Sequence, residues 1–373
     1  MKKSVSLLLG FVIIAIYLVS AGIGDAFSQD ISRDPIDFAP YGGRLGRTTP
    51  AVVNIKFYAH ERTGTLDVGP DGLVDTEDDV RYCYYTFGDS DVVTTGKVPG
   101  PFIRVLEGDT INFTLYNPAA NLVTHSIDLH AVKGFKGGAS VLMAAPGVDA
   151  SLTFQVLHPG LYVYHCAGTG AVLDIGIHIA NGMWGMILVE PKKGGKYFRN
   201  DVKNADKEFY IMQSEFYLAD FPTTAPYAGT YCLDAGKLLS DMPDYVVFNG
   251  RAGVERTGFT PLPGGNVASP VVLTPDVFDN VIIYFGNMGP NLHSATHMIG
   301  DIWDREYKGG DVLSPPSFNV ETSNVPCSEN AIWAFKPLVT TAAAGGVPGG
   351  INVFLDHCIS HVAKGALGVM IVQ

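Results

Sequence analysis

Pro159-Gly160-Leu161-Tyr162-Val163-Tyr164-His165-Cys166 reads as a turn followed by a short β-strand, an apolar and aromatic run too brief for a helix. Successive side chains of a strand point to opposite faces, so His165 and Cys166 must look in opposite directions. The upstream segment His125-Ser126-Ile127-Asp128-Leu129-His130 divides the same way, with His125 on one face and Asp128 and His130 on the other. Near the C-terminus the run returns as Pro348-Gly349-Gly350-Ile351-Asn352-Val353-Phe354-Leu355-Asp356-His357-Cys358. The pattern from Asp109 to Leu122 likewise recurs from Asp279 to Leu292, and each copy is followed within a few residues by a histidine, His125 or His297. Gly185 to Val189 is echoed by Gly368 to Val372. Strands repeated in the same order predict two domains of one fold.

Thr110 to Tyr116 alternates apolar and polar residues, as a half-buried strand should, and 43 glycines and 23 prolines provide for many turns. No long 3.6-residue apolar period appears beyond the N-terminal segment. The predicted class is all-β, a sandwich or barrel in each half.

One face of the two strands gathers His125 and Cys166, and His178 and Met183 follow downstream. Two imidazoles, a thiolate and a weak axial thioether form a type 1, blue-copper electron-transfer ligand list, with no open position for a substrate. A lone His-Cys dipeptide is a weak signal, but four ligands in this order are hard to place by accident. The other face gathers His130 and His165, an all-nitrogen set that needs a third ligand and would be catalytic if a fourth position stayed open. Asp128 shares that face. A buried structural carboxylate is the bland reading, and a catalytic carboxylate is the better one.

Residues 1–28 read as an export signal: Lys2 and Lys3, an apolar run from Val5 to Ala21, and a cleavage site at Ala26-Phe27-Ser28, with an uncleaved anchor as the alternative. A periplasmic or otherwise exported protein is expected, in a place that permits disulfides. Five cysteines include Cys166, assigned to copper, and Cys358; the spacing of Cys83, Cys232 and Cys327 reveals no pairing. The expected domains are 29–191 and 207–373, joined by a polar linker over 192–206. The net charge of −12 argues against a nucleic-acid partner and suits a basic electron donor. The acidic stretch 67–79 has closely spaced carboxylates but not the spacing of a calcium loop, and reads as a solvated hairpin tip.

These motifs, in this order, resemble the copper-containing nitrite reductases and, more distantly, the two-domain multicopper oxidases, over roughly residues 95–373. The resemblance implies two tandem cupredoxin-like Greek-key domains and two coppers per chain. Type 1 copper would take His125, Cys166, His178 and Met183. Type 2 copper would take His130 and His165 from one chain and His357 from the second domain of a neighbouring subunit, in a homotrimer. His297 matches the family's catalytic histidine beside Asp128, Ile299 the residue capping the substrate pocket, and Glu321-Thr322 the pair that orients this machinery. The implied reaction is one-electron, two-proton reduction of nitrite to nitric oxide and water. The implied donor is a c-type cytochrome or a small blue-copper protein.

The chain departs from that pattern in a longer Cys166–His178 loop and in Ile302, which stands where the family has a second histidine. Cys358, His361 and Ala366 keep blue-copper spacing without the axial methionine and read as a relic. A laccase-like oxidase would need eight histidines in His-x-His or His-Cys-His pairs; the chain has ten histidines and no such pair. Another small nitrogen oxide or hydroxylamine could serve the same type 2 site. A simple electron carrier would leave His130, His165 and His357 idle.

Overall fold

The structure is a computed structural model describing residues 45–66, 80–90, 98–133, 142–219, 233–253, 271–337 and 350–373. The export segment 1–28, the acidic stretch 67–79 and Cys232 lie outside them. The first half of the chain supplies β1 (Val52–Leu66), β2 (Val80–Gly88), β3 (Ile103–Leu106), β4 (Thr110–Asn117), β5 (His125–Leu129), β6 (Leu142–Ala144), β7 (Val148–Gln155), β8 (Gly160–His165) and β9 (Trp184–Glu190). The second half supplies β10 (Lys207–Phe216), β11 (Tyr245–Phe248), β12 (Val271–Leu273), β13 (Val281–Asn287), β14 (Ser294–Ile299), β15 (Trp303–Lys308), β16 (Ser317–Val320), β17 (Thr322–Val325), β18 (Glu329–Phe335), β19 (Gly350–Asp356) and β20 (Leu367–Val372). Among the described residues, four short helices interrupt them: α1 (Val172–Ala180), α2 (Lys196–Asn204), α3 (Ala235–Leu239) and α4 (Ile359–Val362).

The strands form four sheets, ordered β2-β1-β4-β7 and β3-β9-β8-β5-β6 in the first half, and β11-β10-β13-β18-β15-β16 and β12-β20-β19-β14-β17 in the second. The repeat seen in the sequence is a repeat of topology. β1 runs parallel to β4 as β10 does to β13, and β3 parallel to β9 as β12 does to β20. Side chains repeat too. Asn117 donates to the carbonyls of Val123 and Ala144, and Asn287 donates to those of Leu292 and Val325, so each amide ties a strand end to the loop that follows it.

Among the described residues three large apolar cores stand out from smaller clusters. One lies inside the first sandwich and includes Phe57, Phe113, Tyr164 and Cys166; another fills the second sandwich around Phe285, Trp303 and Trp333. Between the halves, Leu161, Val163, Trp184 and Met186 pack against Tyr210, Met212, Tyr284 and Ile332. That third core explains why β13 is buried at every position, whereas β7 alternates between exposed and half-buried. It also confirms the parity of β8: Tyr164 and Cys166 face the first core, while Leu161 and Val163, on the side of His165, face the second half.

A buried charge cluster fastens the halves. Arg104, fully buried on β3, pairs with Glu190 and donates to Glu208 at 2.6 Å across to β10, and the Tyr284 hydroxyl donates to Glu208 at 3.1 Å. Removing the cation strands two carboxylates in an apolar seam. Arg104→Leu is expected to cost about 3–5 kcal/mol, read as a lowered denaturant midpoint.

Candidate metal centres

β5 and β8 lie side by side with Asp128 opposite His165, which brings the two histidine-bearing segments into one neighbourhood. On the inner face, His125, Cys166 and His178 offer ligand atoms within 4.8 Å of one another, and all three are buried. Nδ1 of His178 is 3.1 Å, and Nδ1 of His125 3.8 Å, from Cys166 Sγ. Met183 is fully buried in the shell around Cys166, and its carbonyl accepts from the Cys166 amide at 2.9 Å. The Tyr85 ring packs 5.1 Å from that of His125 and 5.2 Å from that of His178.

The donor set suits a soft metal ion. Burial pushes the Cys166 thiol up to about 11, although amides of Ser126 and Gly168 donate to the sulfur at 3.2 and 3.4 Å. The amides are placed to stabilise a thiolate, and a bound cation would supply the drive to form it. Burial, with neighbouring His125, pushes His178 down to about 4, so its imidazole is neutral at pH 7, the form a metal takes.

Two carboxylates behind these imidazoles were not anticipated from the sequence. Glu61 Oε1 lies 3.2 Å from His125 Nε2 and also accepts from the Leu122 and Val123 amides. Burial pushes Glu61 up, but the bonds from His125 and those amides outweigh it and hold the group below its ordinary range. Glu61 comes from β1, 64 residues before His125, and nothing local marks it. Asp174 stands 3.5 Å from His178 Nε2; its i,i+4 spacing was visible but carries meaning only once the loop is known to be helical.

On the opposite face, Asp128, His130 and His165 offer ligand atoms within 4.8 Å of one another. The Nε2 atoms of His130 and His165 face each other at 3.2 Å, and His165 Nδ1 is 3.0 Å from the Cys166 carbonyl. If Nδ1 of His165 donates to that carbonyl, its Nε2 carries the lone pair and is ready to coordinate. Burial pushes His165 down to about 4 and Asp128 up to about 6. Asp128 Oδ1 is buried without a hydrogen-bond partner, an orphaned acceptor beside two converging imidazoles.

A third group forms on β14, β17 and β19. Register sets His297 opposite Thr322 on one side and Leu355 on the other. His297 Nδ1 lies 3.1 Å from Glu321 Oε1, 2.9 Å from the Glu321 carbonyl and 3.4 Å from the Thr322 hydroxyl, which donates to Glu321 at 2.8 Å. The His357 ring is 5.5 Å from that of His297, and Ile299 is 37% exposed two residues further along the same face. Among the described residues, no hydrogen bond or ring contact joins this group to His130 and His165.

Asp356, Cys358 and His361 also converge, but they satisfy one another. His361 Nδ1 is 2.6 Å from Asp356, whose oxygens also accept from Gln213, Ala295 and Cys358. His361 and Asp356 form a buried hydrogen-bonded pair. Cys83 is disulfide-bonded, and Cys166, Cys327 and Cys358 carry free thiols.

Residues 80–194 match the multicopper oxidase family. The chain is 37% identical over 331 residues to the copper-containing nitrite reductase of Neisseria meningitidis serogroup B, covering 88% of this chain and 71% of that protein. It is 33% identical over 252 residues to the copper-containing nitrite reductase of Alcaligenes xylosoxydans xylosoxydans, covering 65% and 70%. The solved copper nitrite reductase from Nitrosomonas europaea superposes with a TM-score of 0.64 at 28% identity, covering 86% of this chain and 94% of that one.

Proposed function

The chain belongs to the copper-containing nitrite reductases, and on that footing we propose that it reduces nitrite with one electron and two protons to nitric oxide and water. The observation that carries this reading is the divergence of His165 and Cys166 at the end of β8 into two separate donor sets. Both sets fit copper: sulfur with two Nδ1 atoms on one face, and two facing Nε2 atoms beside an orphaned carboxylate oxygen on the other. Copper held there, two ions per chain, would supply a one-electron relay at the Cys166 set and an electrophilic seat for nitrite oxygen at the imidazole set.

The protein's own residues do the rest. The peptide joining Cys166 to His165 is a covalent route between the sets. Asp128, held near pKa 6 by burial, carries the first proton at a working pH close to its own titration. His297, steadied by Glu321 and Thr322, delivers the second, and Ile299 shapes the pocket roof. His130 and His165 offer only two nitrogens, and the family resemblance assigns the third imidazole to His357 of the partner subunit. A head-to-tail contact that closes into a homotrimer completes three such sites.

The domains are 29–191 and 207–373, with 192–206 as linker, and residues 1–28 direct export to the periplasm. The disulfide at Cys83 supports an oxidising location, and no helix among the described residues is long and apolar enough to cross a membrane. The acidic surface suits a small basic donor, a c-type cytochrome or blue-copper protein.

Anaerobic turnover with a reduced dye tests the reaction. Nitric oxide should appear in step with nitrite loss. In parallel assays, oxygen consumption in air without nitrite turnover would restore the oxidase reading, and hydroxylamine oxidation alone, with an oxidised dye, would move the substrate.

A further inference from the structure

The segment from Cys166 to His178 does more than join two ligands. It ends in α1, which sets Asp174 one turn ahead of His178, with Oδ1 at 3.5 Å from Nε2 of a ring whose Nδ1 faces Cys166 Sγ at 3.1 Å. Asp174 is itself held in place. Its Oδ2 accepts from both the amide and the hydroxyl of Thr169 at 2.6 Å. Gly168, at φ +52°, lets the loop pass so close that a Cβ there would come within 2.3 Å of that same oxygen. The Asp174 side chain is 29% exposed and the His178 side chain only 3%, so the carboxylate forms the outer wall of the ring. His125 has Glu61 in the same relation on the inner side, and each imidazole therefore sits between the sulfur and a carboxylate.

We propose that Asp174, anchored by Thr169, is a positioning residue that orients the His178 ring and lowers the reduction potential of the copper at the Cys166 set. The inference rests on the type 1 reading of His125, Cys166, His178 and Met183. A carboxylate standing 3.5 Å outside Nε2 favours the proton on Nε2, which leaves the lone pair on Nδ1, the atom that faces the sulfur. The fixed negative charge favours the more positive cupric state over the cuprous state, so it opposes uptake of the electron. Partial exposure screens that charge without removing it.

The test is a redox titration of the copper-loaded full-length protein, followed through its sulfur-to-copper absorption band. In Asp174→Asn the Cu(I)/Cu(II) ratio at fixed poise should move about tenfold toward Cu(I), a rise of about 59 mV. Thr169→Val should move it the same way by less, and Asp174→Glu should return it to within about twofold of the wild type. An Asp174→Asn protein with its band intact and its ratio within about twofold of wild type would overturn the proposal. If Asp174→Asn takes up no copper, Thr169→Val decides, and an unmoved ratio there overturns it equally. Absence of the band from copper-loaded wild-type protein would instead sink the underlying type 1 reading.

Discussion

Asp128→Asn leaves the absorption of the Cys166 copper set in place and cuts nitrite turnover by ~10²–10⁴-fold, the usual contribution of a positioned general acid. Asparagine keeps the shape and removes the proton. Burial is the cause of the raised pKa, and Oδ1 has no partner, so little in the fold depends on this carboxylate except its chemistry. In the wild type, turnover should fall as pH rises through about 6, because the protonated share of Asp128 falls with it. That inflection should vanish from the residual activity of the variant. The same shift has a stability consequence. A folded pKa above the ordinary 3.8 means that the contribution to stability is complete below 3.8 and lost as pH rises through about 6. Steady-state rates from pH 5 to 8, beside the absorption spectrum at each pH, check the catalytic part, and denaturant midpoints measured from below pH 3.8 to above pH 6 check the stability.

His357→Ala should lower turnover by more than ~100-fold while the blue or green band of the protein persists. His357 is exposed at the end of β19, its amide donates to the Ala295 carbonyl at 2.8 Å, and its ring is 5.5 Å from that of His297. Alanine there removes an imidazole without opening a core. His130→Ala should fail in the same way from the other side of the shared site. Co-expression of the two variants should then recover part of the activity, because in a mixed ring some interfaces join an intact His130 to an intact His357. No recovery, with both chains present in the purified oligomer, would place the whole type 2 site within one chain.

The strand around His165 and Cys166 was legible because a period of two leaves no choice of face, and β8 sends its alternate side chains into two different cores. The internal repeat was legible because Asn117 and Asn287 each cap a strand end with equivalent hydrogen bonds. The histidines that trail the repeats are not equivalent in structure. His125 is buried at the start of β5, whereas His297 lies in mid-strand on β14, half-buried and turned away from the second core. What the sequence hid came through distance or helix formation. Glu61, on β1 of one sheet, meets His125, at the start of β5 in the other, and Arg104 reaches Glu208 across 104 residues. Asp174 reaches His178 only because an apolar-rich loop winds into α1. The grouping of Glu321 and Thr322 about His297 was implied by family resemblance, and β17 pairing opposite β14 supplies its physical cause.

Two metal centres fed by neighbouring side chains predict two separable losses. Copper analysis with EPR on fully loaded Cys166→Ala and His165→Ala proteins measures them directly. Cys166→Ala should lose the sulfur-to-copper band and its EPR signal and keep the other copper; His165→Ala should do the reverse. A single substitution that abolished both signals in a folded protein, or a wild type that bound only one copper per chain, would contradict the account.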